Sequence, residues 1–156
     1  MGERRKKEKT ISEAWQNKNF VREFSSGGVV YRQGKWLVAR SAPSELYPKQ
    51  VWRLPKGWED EGESSGEAAI REVREEGGVE AKIIKKIGTI KYFFNAPDKG
   101  RILKFVTFYL MRWVRDLPEG LDGETSEIAW LPYDEAYQKL SFSGEKQMLK
   151  KARSLI

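Results

Sequence analysis

The stretch from Gly57 to Val79, GWEDEGESSGEAAIREVREEGGV, constrains this chain more than any other. A glycine-rich turn, Pro55-Lys56-Gly57 through Gly62, runs into a short helix. Ser64 and Glu67 form an S-x-x-E capping box, which predicts the helix start. Gly77-Gly78 predicts its stop, because glycine takes the left-handed cap conformation without a Cβ clash. Within the helix, Glu72 lies three and four residues before Glu75 and Glu76, a spacing that puts the three carboxylates on one face. Like charges so placed repel by roughly 0.2–0.5 kcal/mol per i,i+4 pair. A lone E-x-x-E-E is ordinarily a solvated face. A hard divalent cation reverses the sign, since it takes carboxylate oxygens and leaves other positions to water and substrate phosphates.

The composition narrows the chemistry. The chain has no cysteine and no histidine, so thiolate ligands, disulfides and imidazole catalysis are excluded, and any general base is a carboxylate, lysine or tyrosine. At 156 residues, with 39% hydrophobic and 12% aromatic content, it is expected to be one globular domain. No apolar run reaches membrane-spanning length and no apolar secretory segment opens the chain, so the expectation is a cytoplasmic protein with no membrane partner. Half of the net charge of +6 lies in residues 1–9, where five Lys/Arg face two Glu. That arm suits a polyanion or merely aids solubility.

Along the chain, residues 1–9 read as a flexible basic arm. Thr10 to Phe20 reads as a short extension, with Trp15 and Phe20 packing back. Phe24–Tyr31 and Lys35–Arg40 read as a hairpin about Gln33-Gly34. After a loop over 41–50, Val51–Leu54 leads into the glycine turn. Ala81–Ile90 and Tyr92–Phe94 read as two strands, and Arg101–Val114, rich in β-branched and aromatic residues, as the longest strand. Asn95–Gly100 and Asp116–Thr125 have turn and loop composition. Ile128–Leu131 reads as a short strand, and Pro132–Leu140 and Gly144–Leu155 as two closing helices. The fold class is α+β or a mixed sandwich.

The central stretch matches G-x5-E-x7-R-E-U-x-E-E-x-G-U, with U aliphatic, at Gly57, Glu63, Arg71, Glu72, Val73, Glu75, Glu76, Gly78 and Val79. Seven fixed identities arise by chance at about one in 10⁸ per starting position, given ordinary residue usage. The chain therefore resembles the Nudix hydrolases. The resemblance implies an α/β/α sandwich with a mixed sheet over residues 21–156, behind a basic extension over 1–20. It also implies Mg²⁺-dependent hydrolysis of a pyrophosphate linkage, with Mn²⁺ as a substitute. Glu72, Glu75 and Glu76 would hold the metal, joined by the Lys56 carbonyl and by Glu124 from the loop before the last strand; Glu127 is the alternative to Glu124. One of the glutamates would act as base. Arg71 belongs to the same catalytic set, holding Glu63 and Glu75 rather than touching substrate. Gly57, Glu63 and Gly78 shape the motif.

Beyond the motif, WRLPKGW, IGTIKYFFN and KGRILKFVTFYLMRWV resemble the diadenosine tetraphosphate hydrolase branch. That similarity implies Lys104 on polyphosphate, with Tyr92, Phe108 and Tyr109 as stacking candidates and Arg53 and Lys56 as phosphate-gripping cations. Ordinary core packing is the competing reading for the aromatics. RNA 5′-pyrophosphohydrolases and diphosphoinositol polyphosphate phosphohydrolases share the motif and a similar Pro-Lys-Gly entry, whereas the MutT kind commonly enters through Pro-Gly-Gly. The expected partner is a small nucleoside polyphosphate, with nucleic acid only as an RNA 5′ end and no obligate protein partner. A Nudix domain serving as a binding module is the non-enzyme alternative; such modules usually lose glutamates that this chain keeps.

Overall fold

Two hydrophobic faces of one sheet organise the molecule. The computed structural model describes residues 20–44 and 48–156; the readings made for residues 1–19, including Trp15, lie outside them. Strands β1 (Val21–Arg32) and β2 (Lys35–Ser41) form the expected hairpin. Gln33 and Gly34 both have positive φ, 46° and 82°, a backbone that matches the twist of a two-residue hairpin turn. Two short strands follow, β3 (Trp52–Arg53) and β4 (Lys56–Trp58), then helix α1 (Ser65–Gly77). Next come β5 (Val79–Ala96), β6 (Gly100–Asp116), β7 (Thr125–Leu131), α2 (Tyr133–Lys139) and α3 (Ser143–Ser154).

The strands run in the order β3-β2-β1-β6-β5, with β4 pairing β1 and β7 pairing β2. The sheet is mixed, because β1 runs parallel to β6 while the other pairs are antiparallel. Alternation along β1 and β6 sends Val29, Val106, Phe108 and Leu110 to one face and Val30 and Met111 to the other. Ala136 of α2, Leu140 just after it, and Leu149 and Ala152 of α3 cover the first face; Ala69 and Val73 of α1 cover the second. The result is the three-layer sandwich with a mixed sheet.

The expected strands 81–90 and 92–94 are a single strand, and at 18 residues β5 slightly exceeds the 17 of β6. Lys82, Lys85, Lys86 and Lys91 do not break this strand. They are exposed on a strand at the sheet edge, where lysine guards against pairing with another chain. Phe20 meets Phe93 edge to face at 4.7 Å, so the outer part of this hairpin receives the start of the described chain. Among the described residues no helix is long and apolar enough to cross a membrane.

Candidate active site

The helix that carries the acids is fixed at both ends as its sequence dictates. Ser64 Oγ accepts from the Glu67 N–H at 3.1 Å, and Glu67 Oε1 accepts from the Ser64 N–H at 2.9 Å. Gly78 closes the helix at φ 68°, its N–H on the Arg74 carbonyl. Between these caps Ala68, Ala69 and Val73 face the sheet, and they carry Glu72 and Glu76 inward with them. Those two carboxylates are 6% and 2% exposed. Glu75 differs, with its side chain 47% exposed. The three acids thus divide into two turned inward and one on the rim.

Arg71 links them. Its guanidinium donates to Glu63 at 2.7 and 3.0 Å, to Glu72 at 2.9 Å, to Glu75 at 3.2 Å and to the Trp58 carbonyl at 2.8 Å. Glu63 in turn accepts from the Asp60 N–H at 2.9 Å, which holds the turn that enters the helix. Gly57 is needed for contact: a Cβ there would lie 2.2 Å from Glu72 Oε2. Lysine at position 71 cannot reproduce the planar fork. Arg71→Lys is expected to cost about 2 kcal/mol, the scale of one or two charge-assisted hydrogen bonds. That lowers the melting temperature by roughly 5 °C in a calorimetric scan.

Glu76 lies deeper. Its Oε1 accepts from the Lys56 N–H at 3.0 Å and its Oε2 from Arg53 Nη2 at 3.1 Å. Carboxylate oxygens of Glu76, Asp122 and Glu124 all lie within 4.8 Å of one another. The loop that brings them is tied to the end of α1, with Asp122 N–H on the Glu75 carbonyl and Leu117 N–H on the Gly78 carbonyl, both at 2.9 Å. Glu124 therefore stands beside Glu76, whereas Glu127 pairs with Arg40 on the surface at 2.8 Å. Asp122 was missed by sequence reasoning. Its only signal was an acid two residues before Glu124, inside a glycine loop that reads as a turn.

Burial pushes both inner acids up to about 7. For Glu72 the Glu76 charge adds to burial, and Arg71 offsets part of it. For Glu76, Arg53 and the Lys56 N–H offset part of the burial while Glu124 adds to it. Carboxylates packed this closely, in an all-oxygen donor set that runs from buried Glu76 out to exposed Glu124, fit a hard divalent cation.

The substrate-side readings fare unevenly. Arg53 and Lys56, expected as phosphate-gripping cations, are largely buried: their side chains are 13% and 14% exposed and pair with Glu76 and Glu145. The Arg53 Nε is buried without a hydrogen-bond partner. Phe108 is wholly buried in the core that faces α2 and α3, so its ring is not available for stacking. Tyr109 lies on the opposite face, against the core under α1. Lys104 and Tyr92 do come together, as cross-strand partners in β6 and β5. Lys104 is 7% exposed, with Nζ 3.6 Å from Glu23 and 5.3 Å from the Trp58 ring centre. Tyr92 is 41% and Trp58 39% exposed. Trp58 went unnoticed because it lies inside the motif, where its position is one of the variable ones.

Comparison with known proteins agrees with this geometry. The NUDIX domain model matches residues 22–152, and the chain belongs to the Nudix family. It is 33% identical over 141 residues to the putative mutator protein MutT4 of Mycobacterium tuberculosis, covering 87% of this chain and 56% of that protein. The chain thus spans little more than half the length of that relative. It is 32% identical over 107 residues to the asymmetrical bis(5′-nucleosyl)-tetraphosphatase of Mus musculus, covering 67% of this chain and 71% of that one. A NUDIX hydrolase from Nitrosomonas europaea superimposes with a TM-score of 0.70 at 22% identity, over 85% of this chain and 88% of the other.

Proposed function

We propose that this chain hydrolyses a pyrophosphate linkage in a nucleoside polyphosphate, with diadenosine tetraphosphate cut to ATP and AMP as the substrate reading. The carrying observation is the pair of buried carboxylates, Glu72 and Glu76, set between the glycine turn and the loop that brings Asp122 and Glu124. Nudix hydrolases generally use a divalent metal ion. Here Glu72, Glu75, Glu76 and Glu124, with the Lys56 carbonyl, would hold Mg²⁺, or Mn²⁺ in its place; Asp122 lies close enough to join them. When bound, the ion neutralises the polyphosphate oxygens and acidifies the attacking water.

The remaining work falls to the chain itself. One of the buried glutamates takes the proton from the water. Arg71 keeps Glu72 and Glu75 from drifting apart. Lys104 meets the polyphosphate, and Tyr92, joined by Trp58, offers an exposed ring to a base. Chemistry of this kind rests on positioning and charge, which is why a chain without histidine or cysteine can perform it.

Similarity to a protein named for tetraphosphate cleavage supports the dinucleotide reading. The longer match to a putative mutator protein favours a second reading, a MutT-type action on a nucleoside triphosphate. A substrate panel with Mg²⁺ separates them: diadenosine tetraphosphate, 8-oxo-dGTP, triphosphorylated RNA, a diphosphoinositol polyphosphate and ADP-ribose. ATP plus AMP from the first compound, at the highest kcat/KM of the set, is expected. Pyrophosphate release from 8-oxo-dGTP or RNA at a higher kcat/KM would replace it.

A further inference from the structure

We infer that Glu145 is a positioning residue for Glu76, acting from the opposite side of the sheet through the Leu54-Pro55-Lys56 turn; its consequence for metal binding rests on the hydrolase reading above. Glu145 stands in the first turn of α3 and is 3% exposed. It makes no cap for its own helix. Instead Oε1 accepts from the Leu54 N–H at 2.7 Å, and Oε2 accepts from Lys56 Nζ at 3.0 Å. One carboxylate therefore grips both ends of a three-residue turn.

The middle of that turn is held as well. Pro55 has no N–H to offer, and its carbonyl accepts from the Gly28 N–H at 3.0 Å. The neighbouring Gly27 is a glycine of necessity, since a Cβ there would lie 2.3 Å from that carbonyl. With the turn pinned, the Lys56 N–H points at Glu76 Oε1, 3.0 Å away. The two side chains of this pair are 14% and 4% exposed, so the Lys56 ammonium has the Glu145 carboxylate as its close anion at 3.0 Å. The Phe142 ring centre, 5.6 Å from Nζ, closes the same pocket. Neutralising Glu145 leaves a buried cation without its anion, and the least costly response is for Lys56 to leave. Leaving carries the turn, and the N–H that orients Glu76, with it.

The test reads Mn²⁺ binding by calorimetry on full-length protein without substrate, with thermal melts in parallel. Glu145→Gln is expected to weaken Mn²⁺ binding roughly 10-fold, the usual effect of losing an outer partner of a ligand. On the preferred substrate kcat falls in step while KM holds, and Glu145→Asp recovers most of both. If Glu145→Gln does not fold, the paired variant Lys56→Met/Glu145→Leu replaces both buried charges by apolar groups, a change folds commonly tolerate. It removes the Leu54 N–H anchor together with the ion pair, so the turn is no longer gripped and Mn²⁺ should again bind about 10-fold more weakly. Native Mn²⁺ affinity in either folded variant, with only the melting temperature altered, would make the pair purely structural and overturn the inference. Glu145→Asp no better than Glu145→Gln, or no Mn²⁺ uptake by the unaltered protein, overturns it as well. Failure of the hydrolase reading looks different: none of the panel is cleaved, yet Mn²⁺ binding still depends on Glu145.

Discussion

Glu76→Gln is expected to lower kcat by roughly 10²–10³-fold or more while the protein stays folded. Glutamine has the shape of glutamate, and its carbonyl can still accept from the Lys56 N–H now 3.0 Å away. What disappears is the negative charge, together with one of two buried carboxylates that repel each other. Arg53 loses its anion, but Glu72 gains relief, so the two effects on stability oppose. Relief has its own readout. The Glu72 carboxyl should titrate lower in the variant, since the Glu76 charge is the second cause of its elevation after burial. Glu127→Gln serves as the control. It removes a partly exposed pair with Arg40 outside the site, so turnover should be unchanged. Steady-state kinetics across an Mg²⁺ titration, with circular dichroism to confirm folding, decides the matter. Full turnover in folded Glu76→Gln would mean that the acids are not the catalytic centre.

The motif helix and its caps were legible because both are local: Ser64, Glu67 and Gly78 act within a turn of where they stand in the chain. The same holds for the hairpin at Gln33-Gly34. Long-range features were legible only where spacing stood proxy for geometry. Spacing put Glu72, Glu75 and Glu76 on one helix face, but only the sheet under Ala69 and Val73 decides that Glu72 and Glu76 are buried while Glu75 stays on the rim. Phe108 went the other way. Even spacing put it on one strand face with Lys104, but spacing does not say that α2 and α3 cover one end of that face and not the other. Lys56 and Arg53 read as phosphate-gripping cations because their partners, Glu145 and Glu76, stand 89 and 23 residues away. Asp122 was hidden for a similar reason: only the pinning of its loop to the end of α1 turns a surface turn into part of the site.

Without divalent metal, the folded protein is expected to lose stability as pH rises from 5 to 8, and Mg²⁺ should restore it at pH 8. Glu72 and Glu76 each titrate near 7 in the folded chain, against 4.5 for an ordinary glutamate. A carboxyl raised in this way binds its proton more tightly folded than unfolded. Its favourable contribution is therefore complete below pH 4.5 and is lost as pH climbs through 7. The two groups share a site and titrate as a pair, so together they account for about 3 kcal/mol across that window. In a chain of this size that is on the order of 10 °C in melting temperature. A divalent ion needs the deprotonated ligands, so it competes with protons and binds tightly only where the acids are charged. Ten millimolar Mg²⁺, about a hundredfold above an assumed dissociation constant near 0.1 mM, adds about 2.7 kcal/mol at pH 8. At pH 5 the same addition should change the melting temperature little. The double variant Glu72→Gln/Glu76→Gln should flatten both the pH slope and the response to Mg²⁺. Equal shifts on adding Mg²⁺ at pH 5 and pH 8 would locate the ion away from the two buried acids. A metal-free melting temperature that rises from pH 5 to pH 8 would show that neither acid carries the burial cost assigned to it.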